Sequence, residues 1–151
     1  MAGNPARAAV ASQIPDTFRP VGSAASTTSV SRDPDRLIWV DGELRPWASA
    51  TVHVLSHAIQ RGSLVFDFMS VHETPRGAAV FRLEPHIERF FHSCGLMGLP
   101  VTQSADQLRA AICETVRANP GAKAVKISAY FASVEIDVVP VDTHVTIAIA
   151  A

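Results

Sequence analysis

Cysteine is scarce. Cys94 and Cys113 are the only two in 151 residues, and their spacing is not that of a metal-binding pair. Both fall on helical patterns among apolar neighbours, so they read as reduced core thiols. Long apolar runs are missing as well. None approaches the ~20 residues that a membrane-spanning helix requires, and the N-terminus lacks the apolar core of a secretory signal. Nor is there an excess of either charge: 13 Lys and Arg stand against 14 Asp and Glu, for a formal net charge of -1. That balance offers no field to attract nucleic acid or a membrane surface. A Gly-rich nucleotide loop, a nucleophile elbow and an internal repeat are also absent. The expectation is a cytoplasmic protein of one domain, with no nucleic-acid, membrane or metal partner.

What is present divides at about residue 36. Residues 1–36 are rich in Ala, Ser, Pro and Thr and have almost no apolar periodicity, so they bury too little to offset their ordering entropy. They read as a disordered extension. From Leu37 the pattern is globular, and the whole chain is 48% apolar. Leu37–Val40, Asp41-Gly42 and Leu44 read as a hairpin with a tight turn. Gly62–His72 alternates strictly, with Leu64, Phe66, Phe68 and Ser70 on one face and Val65, Asp67, Met69 and Val71 on the other. A turn at 73–77 returns the chain through Ala78–Arg82. Two helices follow. The first spans about Glu84 to Met97, with Ile87, Phe90, Phe91, Cys94 and Met97 as its apolar stripe. The second spans Ala105–Ala118 and opens on a Ser104/Gln107 capping box. Lys123–Phe131 and Thr143–Ala151 alternate as strands, and Glu135–Val139 is expected to extend the first of them. Thr143–Ala151 is apolar or small on both faces, as an interior strand is, and if left uncovered it is an aggregation hazard. Hairpins, two helices, then strands imply an α+β fold with helices packed on one face of a mainly antiparallel sheet.

The chemistry concentrates between Val52 and Phe90, which holds four of the six histidines together with Arg61, Asp67, Arg82 and Arg89. His53 and His57 are four apart, but no acid follows at the offset a helical metal site needs, so they read as packing or loop hydrogen-bonding groups. Asp67 shares a strand face with three apolar residues. A carboxylate there lies at a sheet edge or lines a cavity, because an unpaired buried charge is costly. His86 and Arg89 are three apart, on one edge of a helix start. Backbone donors beside an arginine there make a candidate phosphate site, and a solvated surface charge is the plainer reading of Arg89.

In this order and spacing, IWVDGELRPW, VHVLSHAIQRGSLVFD and VFRLEPHIERF resemble the N-terminal domain of the class IV pyridoxal-phosphate aminotransferases. The branch they resemble most is the branched-chain amino acid aminotransferases. The resemblance covers about Leu37 to Ala151. It implies the α+β small domain of that family, a pyridoxal 5'-phosphate cofactor, an amino acid and a 2-oxo acid as substrates, and a homodimer for the full-length protein. His86-Ile87-Glu88-Arg89 matches the family's H-x-x-R motif, which makes Arg89 the cofactor-phosphate residue. The family's tyrosine-glycine followed by V-F-E-G is matched by Arg61-Gly62 and Val65-Phe66-Asp67-Phe68. Lys126 stands where the family has the arginine of a Y-I-R-P run near the substrate carboxylate. The resemblance therefore assigns Arg61, Asp67, Phe68 and Lys126 to substrate binding, and it names no catalytic residue in this chain.

All four of these positions depart from the family pattern. Phe68 for glycine fills space open to a substrate side chain, and Arg61 for tyrosine adds a permanent charge and five donors. Such a pocket favours an anionic or polar amino donor. The Phe66-Asp67 pair is also similar to the (R)-selective amine transaminase branch. The family's cofactor-bonding lysine and its glutamate partner for the pyridine nitrogen lie in a C-terminal domain with no matching segment here. The expectation is a truncated family member, inactive in transamination by itself; a non-catalytic binding or dimerisation module is the alternative.

Overall fold

The computed structural model describes residues 35–151. The extension expected over residues 1–36 therefore lies outside the described residues, apart from Asp35 and Arg36. Arg36 is tied into the fold: its carbonyl accepts from the Trp47 amide at 3.0 Å, and its guanidinium donates to the Ala151 carbonyl at 2.5 Å.

Two short strands, β1 (Leu37–Val40) and β2 (Glu43–Pro46), form the first hairpin. Its turn places Asp41 at φ 47° and Gly42 at φ 106°, the paired positive angles that match the twist of the flanking strands. A 3-10 turn at Trp47–Ser49 and an extended loop lead to a short helix, α1 (His57–Arg61). Ser56 caps its start and Gly62, at φ 69°, ends it. Five residues carry too little periodicity to reveal a helix. Its presence moves Gly62 out of the strand expected to begin there. That strand, β3, runs from Leu64 to Thr74, and β4 (Gly77–Val80) returns beside its far end.

Helix α2 spans Leu83–Leu96 and α3 spans Ala105–Ala118, followed by β5 (Ala124–Phe131) and β6 (Val145–Ala150). Pro85 sits in the first turn of α2, where no backbone donor is required. Gly98, at φ 67°, closes that helix, and Leu99 folds back so that its amide donates to the Cys94 carbonyl at 2.9 Å. The capping box of α3 is present: Ser104 accepts from the Gln107 amide, and the Gln107 side chain accepts from the Ser104 amide.

The six strands form one sheet in the order β2-β1-β6-β5-β3-β4, with every neighbouring pair antiparallel. Both long helices pack on one face. The core there joins Val65, Met69, Ile127, Ile147 and Ile149 from the sheet with Ile87, Phe90, Leu108 and Ile112 from the helices. β6 lies between β1 and β5, so its backbone is paired on both sides, as expected of an interior strand. Two readings are corrected. Met97 lies past the end of α2 and is half exposed rather than part of the buried stripe. Glu135–Val139 forms no strand; only Val134 makes an isolated bridge, to Ser56. Alternation there meets no open sheet edge, and Ile136, Val138 and Val139 face solvent. Among the described residues no helix is long and apolar enough to cross a membrane, and no group of three or more His, Cys, Asp or Glu could hold a metal ion.

Candidate functional site

The sheet has two different faces, and strand alternation sorts the candidate residues between them. On the helix side, Asp67 is 3% exposed and touches the start of α2. Arg89 grips it with two parallel bonds, Nε to Oδ2 at 2.8 Å and Nη2 to Oδ1 at 2.7 Å. The Phe68 amide donates to Oδ1 at 2.7 Å. His86 Nδ1 lies 2.8 Å from the same oxygen and 3.0 Å from Arg89 Nη2. With a proton on Nδ1 the ring donates to Asp67; without one it accepts from Arg89. Burial is the largest single influence on the Asp67 carboxyl and pushes its pKa up. The bonds from Arg89, His86 and the Phe68 amide, with the arginine charge, outweigh it and hold the carboxyl below its ordinary value. The reverse effect, Asp67 bonding to Arg89, raises the guanidinium further.

Arg89 remains accessible, with its side chain 62% exposed. With Arg82, Pro85 and His86 it lines a cavity of about 300 Å³ at the start of α2. Arg82 also shapes the entry to the helix. At φ 52° it adopts a left-handed conformation that costs a non-glycine residue roughly 1–2 kcal/mol, and this bend turns the chain from β4 into the helix. Sequence reasoning singles out Arg89; it counts Arg82 in the same stretch but gives it no site role. The three nitrogens of the Arg89 guanidinium are unequally committed: Nε and Nη2 face Asp67 and His86, which leaves the two N–H groups of Nη1. A pair of N–H donors left over in this way, a second arginine and a helix start fit a phosphate group.

Among the described residues, no long helix packs on the opposite face of the sheet. Phe66 and Phe68 stand on it, both more than half exposed. Lys126 is the register partner of Phe68 and holds its ammonium 4.2 Å from the Phe66 ring centroid. Beyond them lies a groove of about 240 Å³, floored by Ser128, Ala148 and Ala150 and edged by Lys126, Arg45 and Tyr130. Arg45 lies within the IWVDGELRPW segment but is given no role there, and Tyr130 belongs to no motif that would single it out. Burial, then the nearby Asp41 charge, raise the Tyr130 phenol above its ordinary value.

The four residues grouped by resemblance as substrate contacts are thus separated. Phe68 and Lys126 share the open face. Arg61, at the end of α1, directs Nη2 to the Asp137 carbonyl at 3.5 Å. Asp67 lies on the other side of the sheet, because odd and even positions of a strand face opposite ways, and its carboxylate is committed to the α2 cluster. His53 and His57 do local work: His53 Nδ1 accepts from the Leu55 amide, and His57 lies 2.7 Å from Ser63 Oγ and 2.9 Å from the Val138 carbonyl.

Known proteins share this fold. No family model matches the chain. A branched-chain-amino-acid aminotransferase of Pseudomonas aeruginosa is 41% identical over 87 residues, which are 58% of this chain and 28% of that protein. The solved branched-chain amino acid aminotransferase of Escherichia coli superposes with a TM-score of 0.71 at 30% identity, over 77% of this chain and 39% of its own. The branched-chain amino acid aminotransferase of Thermobaculum terrenum, solved in its PLP form, gives 0.65 at 26% identity, over 79% and 40%. The chain spans about a quarter of the length of the curated relatives it matches. Sequence and fold agree on one kinship: this chain is related to the branched-chain aminotransferases, which are pyridoxal-phosphate enzymes, and has the fold of their N-terminal domain.

Proposed function

We infer that this chain supplies the small-domain half of a pyridoxal 5'-phosphate-dependent aminotransferase site, in which an amino group passes between an amino acid and a 2-oxo acid. When bound, the cofactor supplies the carbonyl and the electron-withdrawing ring on which that transfer depends. The part assigned to this chain is to bind and orient. Arg89, with Arg82 and the first turn of α2, holds the phosphate through charge-assisted hydrogen bonds. On the open face, Phe68 and Lys126 border the substrate. Phe68 closes space to a bulky side chain, and Lys126 offers a cation to the carboxylate. Arg61 lies toward the loop at Asp137 and adds a second cation for an anionic donor. The intact protein is proposed to act as a homodimer in the cytoplasm.

The observation that carries this reading is the Nη1 edge of Arg89, left over from the Asp67 contact, in a cavity shared with Arg82. Pyridoxine 5'-phosphate tests it by calorimetric titration, because that analogue has no aldehyde to react with surface amines. The chain is expected to bind it and to ignore pyridoxine. Arg89→Gln is expected to weaken binding by roughly 10- to 100-fold, as loss of a charged hydrogen bond of about 1.5–3 kcal/mol implies. Equal affinity of Arg89→Gln and the wild type would sink the assignment.

A second reading, a non-catalytic dimerisation module, is favoured by one feature. Phe66 and Phe68 stand side by side and exposed, on the face away from α2 and α3.

A further inference from the structure

We propose that Asp67 is the positioning residue of the Arg89 anion site, so that an anion is taken end-on by Nη1 rather than side-on by the Nε–Nη2 edge. This rests on the phosphate-site reading above and adds a residue and a binding geometry to it. A guanidinium can meet a carboxylate or phosphate along its side edge, Nε with one terminal nitrogen, or at its end. Here the side edge is taken. Nε donates to Asp67 Oδ2 at 2.8 Å and Nη2 to Oδ1 at 2.7 Å, and His86 Nδ1 sits 3.0 Å from Nη2.

The carboxylate that does this is itself held. Asp67 is buried in the middle of β3, paired in register with Ile127, and it takes a further bond from the Phe68 amide. The anchor is buried and the arginine is exposed, so the orientation is imposed from the sheet outward. The order of the strand explains the placement. Phe66 and Phe68 go to the open face, so the residue between them must face α2, where it meets His86 and Arg89 within the first two turns. The family resemblance grouped Asp67 with its strand neighbours as a substrate contact; its side chain serves the opposite side of the sheet.

Simple electrostatics and positioning predict opposite signs for the same change. Asp67→Asn removes a negative charge near an anion site. If charge alone mattered, phosphate would bind more tightly. If Asp67 sets the arginine's orientation, the freed guanidinium samples several rotamers and phosphate binds more weakly, by roughly tenfold for the loss of one orienting bidentate pair.

The test titrates inorganic phosphate into the whole chain and into its Asp67→Asn and Arg89→Gln variants, with each variant's folding checked by circular dichroism. Weaker binding by Asp67→Asn, with near-complete loss in Arg89→Gln, supports the proposal. Tighter or unchanged binding by Asp67→Asn, with loss in Arg89→Gln, overturns the positioning role and leaves the phosphate reading standing. Unchanged binding by Arg89→Gln overturns both. Should Asp67→Asn not fold, the wild type decides through the Arg89 Nε–H nuclear magnetic resonance signal. The signal is expected to keep its slow exchange as phosphate is added; loss of that protection would mean that the anion displaces Asp67, and would overturn the end-on geometry.

Discussion

Asp67 couples the fold to acidity. Its carboxyl has a lower pKa in the folded chain than the ordinary value of 3.8, despite burial that pushes the other way. The folded state therefore favours the ionised form. The stability this confers is fully present above the unfolded pKa and is lost as pH falls through the folded one. Thermal unfolding of the wild type and of Asp67→Asn is expected to differ most near neutrality. The difference should narrow as pH drops below about 3.8. A gap that stays constant down to strong acid would rule out Asp67 as its source. Cys94 illustrates the opposite balance. Burial pushes its thiol up to about 11, so it remains protonated in the core.

At the scale of elements, local signals are legible in the sequence and pairings are not. The Ser104/Gln107 box and the alternation from Leu64 to Val71 depend on neighbours a few residues away, and the structure contains both. The short helix at His57–Arg61 has its cap and its terminating glycine, but it is too brief for a period to appear. The Asp67–Arg89 contact joins residues 22 positions apart on different elements, and no spacing rule brings them together. The alternation from Glu135 to Val139 misleads for the complementary reason: a strand exists only where a partner edge receives it. The capping box also permits a quantitative check. Ser104→Ala removes the acceptor for the Gln107 amide at 3.2 Å and is expected to cost about 1 kcal/mol in urea unfolding, with an unchanged denaturant slope. A loss below a few tenths would mean that water replaces the cap.

At the scale of the whole molecule, the uneven coverage of the sheet separates the two functional readings. One face carries α2 and α3 and a continuous core. The other presents Phe66 and Phe68, 56% and 57% exposed, and a groove floored by small residues. An apolar face of this kind marks an interaction surface or an association hazard. If it serves as a dimerisation surface, sedimentation of the chain should give a defined dimer that a Phe66→Ser/Phe68→Ser double variant converts to monomer. A monomer at high concentration in the wild type would remove the support for that reading.

The strand order has a consequence for how the chain is made. β6 enters the sheet between β1 and β5, and Ile38 pairs with Ala150 across almost the entire described length. During synthesis the β1–β2 hairpin is complete early and then waits for a neighbour that is translated last among the described strands. Until then β1 and β5 each present an unpaired edge, the condition in which nascent chains associate with one another. Closure over so long a sequence separation is slow. Asp41 pins the register of β6 in the folded sheet: its amide and its side chain bond the carbonyl and the amide of the same residue, Ile147, at 3.1 and 2.8 Å. The turn that ends the first hairpin thus serves as a stop for the strand that joins the sheet last.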